Sequence, residues 1–176
     1  MKNLILVFSI LIFISCKQNE KVDTFSQEKL VDFKPDSYEL KYDNIKQIKG
    51  QVLYMPIYSN IPRNIDSYEF DMSAFVTFHN TDFTNKVIIQ KVQYFDTKGR
   101  MVHDFLEGKV QELAPLETKD FYVPYRDKSG IGANFLIEWV SDSLVTEPLV
   151  ESVTISLKNH YSVAVLSQGK VIKELK

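Results

Sequence analysis

After Gly50 the chain consists of short runs in which apolar and polar residues alternate, separated by turn-forming residues. Residues 134–140 are an example, with Phe135, Ile137 and Trp139 on one face. A period of two residues is typical of a β-strand with one buried face, and no run after Gly50 keeps the period of a helix over a convincing length. The pattern therefore predicts an all-β fold.

Turn residues between these runs divide the region into about eight or nine strands, which fits an immunoglobulin-like antiparallel β-sandwich. Asp96-Thr97-Lys98-Gly99 predicts a tight hairpin, because Gly99 can adopt a positive φ. Pro56 predicts that the first run is an edge strand or carries a bulge. The predicted strands cover residues 51–58, 70–79, 86–95, 100–106, 118–123, 134–140, 152–157, 161–166 and a short segment after 170.

The first sixteen residues have a different character. Lys2 is followed by a nearly continuous apolar run over residues 4–14, which is too short to span a hydrocarbon core of about 30 Å but has the length of a signal-peptide core. A small residue and then Cys16 follow. This resembles the lipobox of bacterial lipoproteins, in which the cysteine is lipidated; Phe13 departs from the usual leucine. The alternative is an ordinary secretory signal with an incidental cysteine.

The composition changes again after the cysteine. Residues 17–49 are polar and mixed in charge, which predicts a tether with one short ordered piece near residues 38–42. We therefore expect a signal peptide over residues 1–16, a tether over 17–49 and a β-sandwich over 50–176. Residues 17–20 loosely resemble the surface-export signals of Bacteroidetes lipoproteins, so display on the cell surface and on the periplasmic face both stay open.

Overall composition narrows the possible functions. With a net charge of −2, the chain lacks the excess of positive charge that is typical of nucleic-acid-binding proteins. Cys16 is the chain's single cysteine, so the expected sandwich has no disulfide, no thiol nucleophile and no cysteine metal site.

The stretch SGIGANFLIEWV raises the question of a phosphate-binding loop. A P-loop ends in Gly-Lys-Ser/Thr and opens a helix, whereas Gly130 and Gly132 precede a run with the alternation of a strand. The dinucleotide-binding fingerprint fails too, because Phe135 stands in place of its third glycine. The sequence predicts no nucleotide binding.

The same stretch offers a candidate for another kind of site. Arg126, Asp127, Ser129 and Asn134 would line a polar loop at one end of the sandwich, where binding sites are found on such folds. The alternative is a connection that only leads into a core strand.

The histidines do not make a stronger candidate. His79 and Asp82 form an H-x-x-D pair at a turn, but catalytic zinc usually takes three protein ligands and turn preference alone explains Asp82. His103 falls in a predicted surface strand, and His160 lies beside a hairpin turn. No G-x-S-x-G is present and no carboxylate pair stands out. We predict no catalytic residues, no metal and no cofactor.

Six segments carry a resemblance to a known family: QVLYMPIYS, HNTD, VQYFDTKGRMV, LAPLET, SGIGANFLIEW and SQGKVI. From about Gly50 to Leu175 the chain resembles an uncharacterised bacterial family, domain-of-unknown-function family 3124, found in secreted or lipid-anchored proteins. GANFLIEW is the most specific segment. The resemblance implies an immunoglobulin-like β-sandwich and assigns no activity.

These observations predict a bacterial envelope lipoprotein that is held to a membrane by a lipid on Cys16. We expect its sandwich to be a non-catalytic binding module for an envelope protein or a glycan, with no nucleic-acid partner. Two alternatives stay open. One is a metal-dependent or other enzyme that uses the 126–134 loop, and the other is a surface adhesion or structural protein.

Overall fold

The computed structural model describes Phe25 and residues 30–33, 47–62, 69–158 and 161–175. Within these residues the chain forms thirteen strands and no helix. The strands are β1 (Val31–Asp32), β2 (Lys49–Pro56), β3 (Asn60–Pro62), β4 (Glu69–Asp71), β5 (Ser73–His79), β6 (Val87–Phe95), β7 (Arg100–Asp104), β8 (Gln111–Leu113), β9 (Thr118–Val123), β10 (Asn134–Ser141), β11 (Leu149–Lys158), β12 (Tyr161–Gln168) and β13 (Lys170–Leu175).

The strands pair antiparallel in two main sheets. A seven-stranded sheet has the order β1-β7-β6-β10-β2-β13, with β8 also on β6, and a four-stranded sheet has the order β12-β11-β5-β9. A separate pair joins β3 and β4. The predicted all-β sandwich is confirmed. The number of strands exceeds eight or nine because β1, β3, β4 and β8 are only two or three residues long.

The larger of two buried hydrophobic clusters lies between the two sheets. Phe135, Ile137 and Trp139 of β10 are fully buried in it, together with Val76 and Phe78 of β5. Burial of each large apolar side chain stabilises the fold by about 1.5–3 kcal/mol. The face predicted to be buried in residues 134–140 is therefore confirmed, including the inward position of Trp139.

The predicted hairpin at residues 96–99 is also confirmed. Gly99 has φ 74°, and its N–H donates to the carbonyl oxygen of Asp96 at 2.9 Å. The Asp96 carboxylate accepts the backbone N–H groups of Lys98 and Arg100, both at 2.9 Å. These bonds close the turn around one carboxylate.

Pro56 neither makes β2 an edge strand nor marks a bulge, which corrects the sequence expectation: the register shift in the pairing with β13 lies between Val171 and Lys173. β2 lies inside the seven-stranded sheet, between β10 and β13. Pro56 is its last residue, and β13 reaches only as far as Tyr54. No ladder hydrogen bond to β13 is needed from Pro56, so the proline is tolerated there.

Part of the segment expected to be a tether lies on the sandwich. The Phe25 ring stacks on His103 with centroids 4.6 Å apart and meets Phe105 edge-on at 5.7 Å. β1 pairs with β7, so Val31 faces Met101. Cys16, the rest of residues 1–24 and residues 38–42 lie outside the described residues. The described part of the chain has no helix with the length and apolar character needed to cross a bilayer.

Candidate functional site

The loop between β9 and β10 lies at one end of the sandwich and is attached to β6 by Asp127. The hydroxyl of Tyr94 donates to Asp127 Oδ2 at 2.7 Å, and the backbone N–H of Ser129 donates to the same oxygen at 3.0 Å. Burial and the charge of Asp127 raise the pKa of the Tyr94 phenol, so Tyr94 stays a hydrogen-bond donor. A charge-assisted hydrogen bond of this kind holds the loop in one position.

A second set of bonds closes the loop onto the hairpin that precedes β7. The N–H and the hydroxyl of Thr97 both donate to the carbonyl oxygen of Ser129 at 2.9 Å. Thr97 also accepts the N–H of Gly132 at 3.2 Å. Gly130 has φ 97°, and a Cβ there would lie 2.4 Å from Thr97 Oγ1, so this position requires glycine. The loop leads directly into β10, as the sequence predicts.

The four candidate residues of this loop therefore occupy different environments. Asp127 and Ser129 are buried, whereas Arg126 is exposed and has φ 67°. Asn134 is half-buried at the start of β10, paired with Pro56 and Phe95. The loop presents Arg126 and its neighbour Lys128 to solvent on a fixed backbone.

The charges at this end are weakly paired. Arg126 Nε and Lys128 Nζ lie 3.8 and 3.9 Å from the carboxylate of Asp71. Exposed ion pairs of this kind contribute at most about 1 kcal/mol. The loop is therefore a rigid surface feature whose buried polar groups already have partners within the fold.

His79 and Asp82 lie at the opposite end of the sandwich. β6 separates the two ends and spans about 26 Å at the rise of a strand. The two ring nitrogens of His79 contact the hydroxyls of Thr118 and Thr77 at 2.9 and 3.0 Å. The structure therefore does not bring His79 and Asp82 together with Asp127 and Asn134.

Asp82 organises its own turn. Its carboxylate accepts backbone N–H groups from Thr146 at 2.9 Å, Thr84 at 2.9 Å and Asn85 at 2.7 Å. These bonds, led by that of Thr146, hold the pKa of the Asp82 carboxyl well below its usual range. Among the described residues no group of three or more His, Cys, Asp or Glu side chains could hold a metal ion. His160 lies outside the described residues.

The most unusual feature of the sandwich is the central part of β11, because its hydroxyl side chains face inward. Ser152, Thr154 and Ser156 are 0–2% exposed, and their hydroxyls have no hydrogen-bond partner among the described residues. The intervening apolar side chains face outward, with Leu157 75% exposed. Burying one hydroxyl without a partner costs about 1–3 kcal/mol. The orientation of β11 is therefore unfavourable for the isolated fold.

The outward side chains of β11 belong to an apolar row that crosses the whole four-stranded sheet. Leu166 of β12 pairs with Val153 of β11, Val153 pairs with Phe75 of β5, and Phe75 pairs with Tyr122 of β9. The Phe75 and Tyr122 rings contact each other with centroids 4.8 Å apart. We call this outer surface the apolar face; it comprises Phe75, Tyr122, Val153, Ile155, Leu157 and Leu166.

Polar residues border the apolar face on one side. The next row across the sheet pairs Gln168 with Glu151, Glu151 with Thr77, and Thr77 with Asp120. An apolar centre with a polar rim is the arrangement of protein–protein interfaces. The Tyr122 hydroxyl is the one polar group among the six side chains of the face, which suits contact with another apolar surface.

Sequence reasoning missed this surface, although a signal for it exists. In residues 152–157 hydroxyl and aliphatic side chains alternate strictly, so the strand has two unlike faces. Alternation alone does not say which face is inside. In β5 Ala74, Val76 and Phe78 are buried, as is Met72 just before the strand. That arrangement leaves Phe75 as an outward aromatic residue.

Comparisons with known proteins give one family and one distant structure. A family model described as protein of unknown function (DUF3124) matches residues 50–172. No curated protein matches the chain. Among solved structures, the crystal structure of Thermotoga maritima 1070 is similar at 13% identity and a TM-score of 0.37. That similarity covers 68% of this chain and 92% of the other.

Proposed function

Because the chain belongs to the family of proteins of unknown function DUF3124, which has no described activity, we propose a function from its surface. The chain is a lipid-anchored envelope protein whose sandwich binds a second envelope protein through the apolar face. The role is binding rather than catalysis. Arg126 and Lys128 lie at the end of the sandwich and outside the proposed surface.

The inward hydroxyls of β11 carry this proposal. Three buried hydroxyls that have no partner among the described residues cost stability, and the same strand leaves Leu157 exposed and Val153 and Ile155 half-buried. A partner that covers the apolar face recovers about 25 cal/mol for each Å² of apolar surface it removes from water. Local features that oppose the stability of the isolated fold are expected where a protein functions.

The composition of the face favours a protein over a glycan. Four of its six side chains are aliphatic, and the Tyr122 hydroxyl is the one polar group among the six. A sugar that covered these aliphatic groups would lose hydration of its hydroxyls without gaining hydrogen bonds. A flat apolar surface on another protein has no such cost. We therefore choose a protein from the two partners that the sequence leaves open.

The anchor would place this surface close to a membrane. The segment between Cys16 and Phe25 can extend at most about 30 Å, since each residue spans about 3.3–3.6 Å. Phe25 is fixed to the sandwich by its contacts with His103 and Phe105. A lipid on Cys16 would therefore keep the sandwich within a short distance of the bilayer, among other envelope proteins.

Photo-crosslinking at two leucines tests the binding surface. Leu157 lies on the apolar face at 75% exposure, and Leu144 lies off it at 78% exposure, so they form a matched pair. A photoreactive phenylalanine analogue is placed at either position in the full chain within native membranes. We expect position 157 to give one discrete adduct with an envelope protein and position 144 to give none.

A further substitution makes the crosslink specific. Phe75→Ser in the chain labelled at position 157 should remove the adduct, because Phe75 lies in the same apolar surface and is already partly exposed. Equal adducts from positions 157 and 144, or an adduct that survives Phe75→Ser unchanged, would contradict the proposed surface.

The anchor has its own test. Cys16→Ala should move the protein from the membrane fraction to the soluble fraction and abolish labelling by a fatty-acid analogue. Acyl labelling that persists in Cys16→Ala would contradict lipidation at this residue, and membrane retention without labelling would point to another mode of attachment.

A further inference from the structure

β12 is an edge strand of the four-stranded sheet, and β11 is its neighbour in that sheet. No described strand pairs with its second edge. An open edge presents a row of backbone N–H and C=O groups that can pair with another strand. Its outward side chains, Ser162, Ala164 and Leu166, are exposed.

β12 differs from the other sheet edges in lacking protection against such pairing. Its sequence YSVAVLSQ has no charged residue, no proline and no glycine. The opposite edge of the same sheet, β9, carries Lys119 and Asp120. In the seven-stranded sheet, the edge strand β13 carries three charges and a bulge, and β1 is only two residues long. Charges, bulges and short length are the usual features that prevent an edge strand from pairing with another chain.

We propose that β12 pairs with β12 of a second copy of this chain. The two strands run antiparallel about a two-fold axis and join the two four-stranded sheets into one sheet of eight strands. A two-fold interface brings the same surface against itself, so it must be self-complementary. An uncharged strand meets this condition without bringing like charges together.

A register centred on Ala164 fits the side chains. The smallest of the three outward residues then faces its own copy at the axis, and Leu166 lies beside Ser162 of the other copy. Leu166 is 80% exposed in the single chain, so the pairing would cover a large apolar side chain. The apolar faces of the two copies become neighbours in one continuous sheet, which enlarges the surface offered to a partner.

This pairing rests on the membrane anchor of the proposed function; it shares Leu166 with the apolar face but does not require a partner bound there. A single pair of strands buries less than the roughly 800 Å² per partner of a standard interface, so association in dilute solution should be weak. A lipid on Cys16 confines the copies to one plane and raises their effective concentration. We therefore expect the dimer in the membrane.

Disulfide trapping tests the pairing in cells. Residues at the centre of an antiparallel pair have Cα atoms about 4.5–5.5 Å apart, within the range of a disulfide. Ala164→Cys in the full chain should give a disulfide-linked species of twice the monomer mass under mild oxidation. Asp120→Cys, on the charged edge β9, is the matched control, and the unsubstituted chain reports any dimer formed through Cys16. We expect at least a several-fold excess of dimer for Ala164→Cys.

Charged substitutions on β12 then distinguish specific strand pairing from disulfides formed by random collision. Ser162→Lys with Leu166→Lys in the Ala164→Cys chain should abolish the dimer, since like charges would face each other. Co-expression with a chain carrying Ser162→Glu, Leu166→Glu and Ala164→Cys should restore a mixed dimer. Dimer formation equal to that of Asp120→Cys, or no restoration by the opposite charges, would overturn the proposal. A dimer found in the soluble fraction would support the strand pairing but contradict the membrane anchor.

Discussion

β10 and β11 follow one another along the chain, lie in opposite sheets and orient their apolar residues in opposite ways. β10 turns Phe135, Ile137 and Trp139 into the core. β11 turns Val153, Ile155 and Leu157 outward and buries the hydroxyl side chains between them. Both strands alternate, so alternation identifies two faces but leaves the choice of the inner face to the neighbouring strands.

The pairing of β11 with β5 explains the difference. Val153 lies opposite Phe75, and paired residues in adjacent strands share a face of the sheet. The inner face of β5 is fixed by Ala74, Val76 and Phe78, so Val153 must lie outside with Phe75. A slip of one residue would reverse every side chain of β11.

The largest expected effect on the free energy of unfolding comes from truncating an isoleucine in each of the two strands. Ile137→Ala should lower the free energy of unfolding by about 2–5 kcal/mol, because Ile137 is fully buried. Ile155→Ala should lower it by less than about 1 kcal/mol, because Ile155 is only half-buried on the outer face. Urea denaturation of the full chain measures both values. Equal losses would show that β11 buries its apolar side chains as β10 does.

A smaller effect of opposite sign is expected inside β11. Thr154→Val removes a buried hydroxyl that has no partner among the described residues and keeps the side-chain volume, so it should raise the free energy of unfolding by about 1 kcal/mol. Thr77→Val, on the outer face where the hydroxyl is hydrogen-bonded, is the control and should not stabilise. Destabilisation by Thr154→Val would mean that this hydroxyl is satisfied in the fold.

The last expected effect depends on pH and concerns the connection between the two strands. Asp82 accepts the N–H of Thr146, which lies between β10 and β11, and its pKa is lowered on folding. The ionised Asp82 therefore stabilises the fold above its unfolded pKa of about 4, and this stabilisation is lost as the pH falls below that value. Asp82→Asn should unfold more readily at neutral pH and lose part of its stability difference from the unsubstituted chain in acid. Thermal unfolding followed from pH 7 to pH 3 tests this; a pH-independent difference would contradict it.

Local pattern accounts for much of the fold. Alternation and turn residues located the long strands, the hairpin at Gly99 and the inward face of β10. The remaining features depend on contacts between distant parts of the sequence. The bond from Tyr94 to Asp127 joins residues 33 positions apart, and the orientation of β11 depends on its register with β5. Neither contact leaves a pattern within a single segment.

For the candidate site too, the sequence indicated the local segment but not the contacts between distant residues. The sequence identified the polar loop with Arg126 and Asp127 by composition, yet Asp127 is engaged inside the fold by Tyr94. The apolar face draws its six residues from four strands, so no single segment displays it. A surface assembled by register becomes visible only when the strands are paired.

Thiol labelling of two adjacent positions tests the central claim most directly. Thr154→Cys and Ile155→Cys in the full chain are exposed to a membrane-impermeant maleimide, first after purification and then in native envelopes made permeable to the reagent. Ile155→Cys should react quickly in the purified chain and slowly in the envelope, where a partner covers the apolar face, while Thr154→Cys should be protected in both. Faster labelling of Thr154→Cys than of Ile155→Cys, or equal labelling of Ile155→Cys in both settings, would contradict the account.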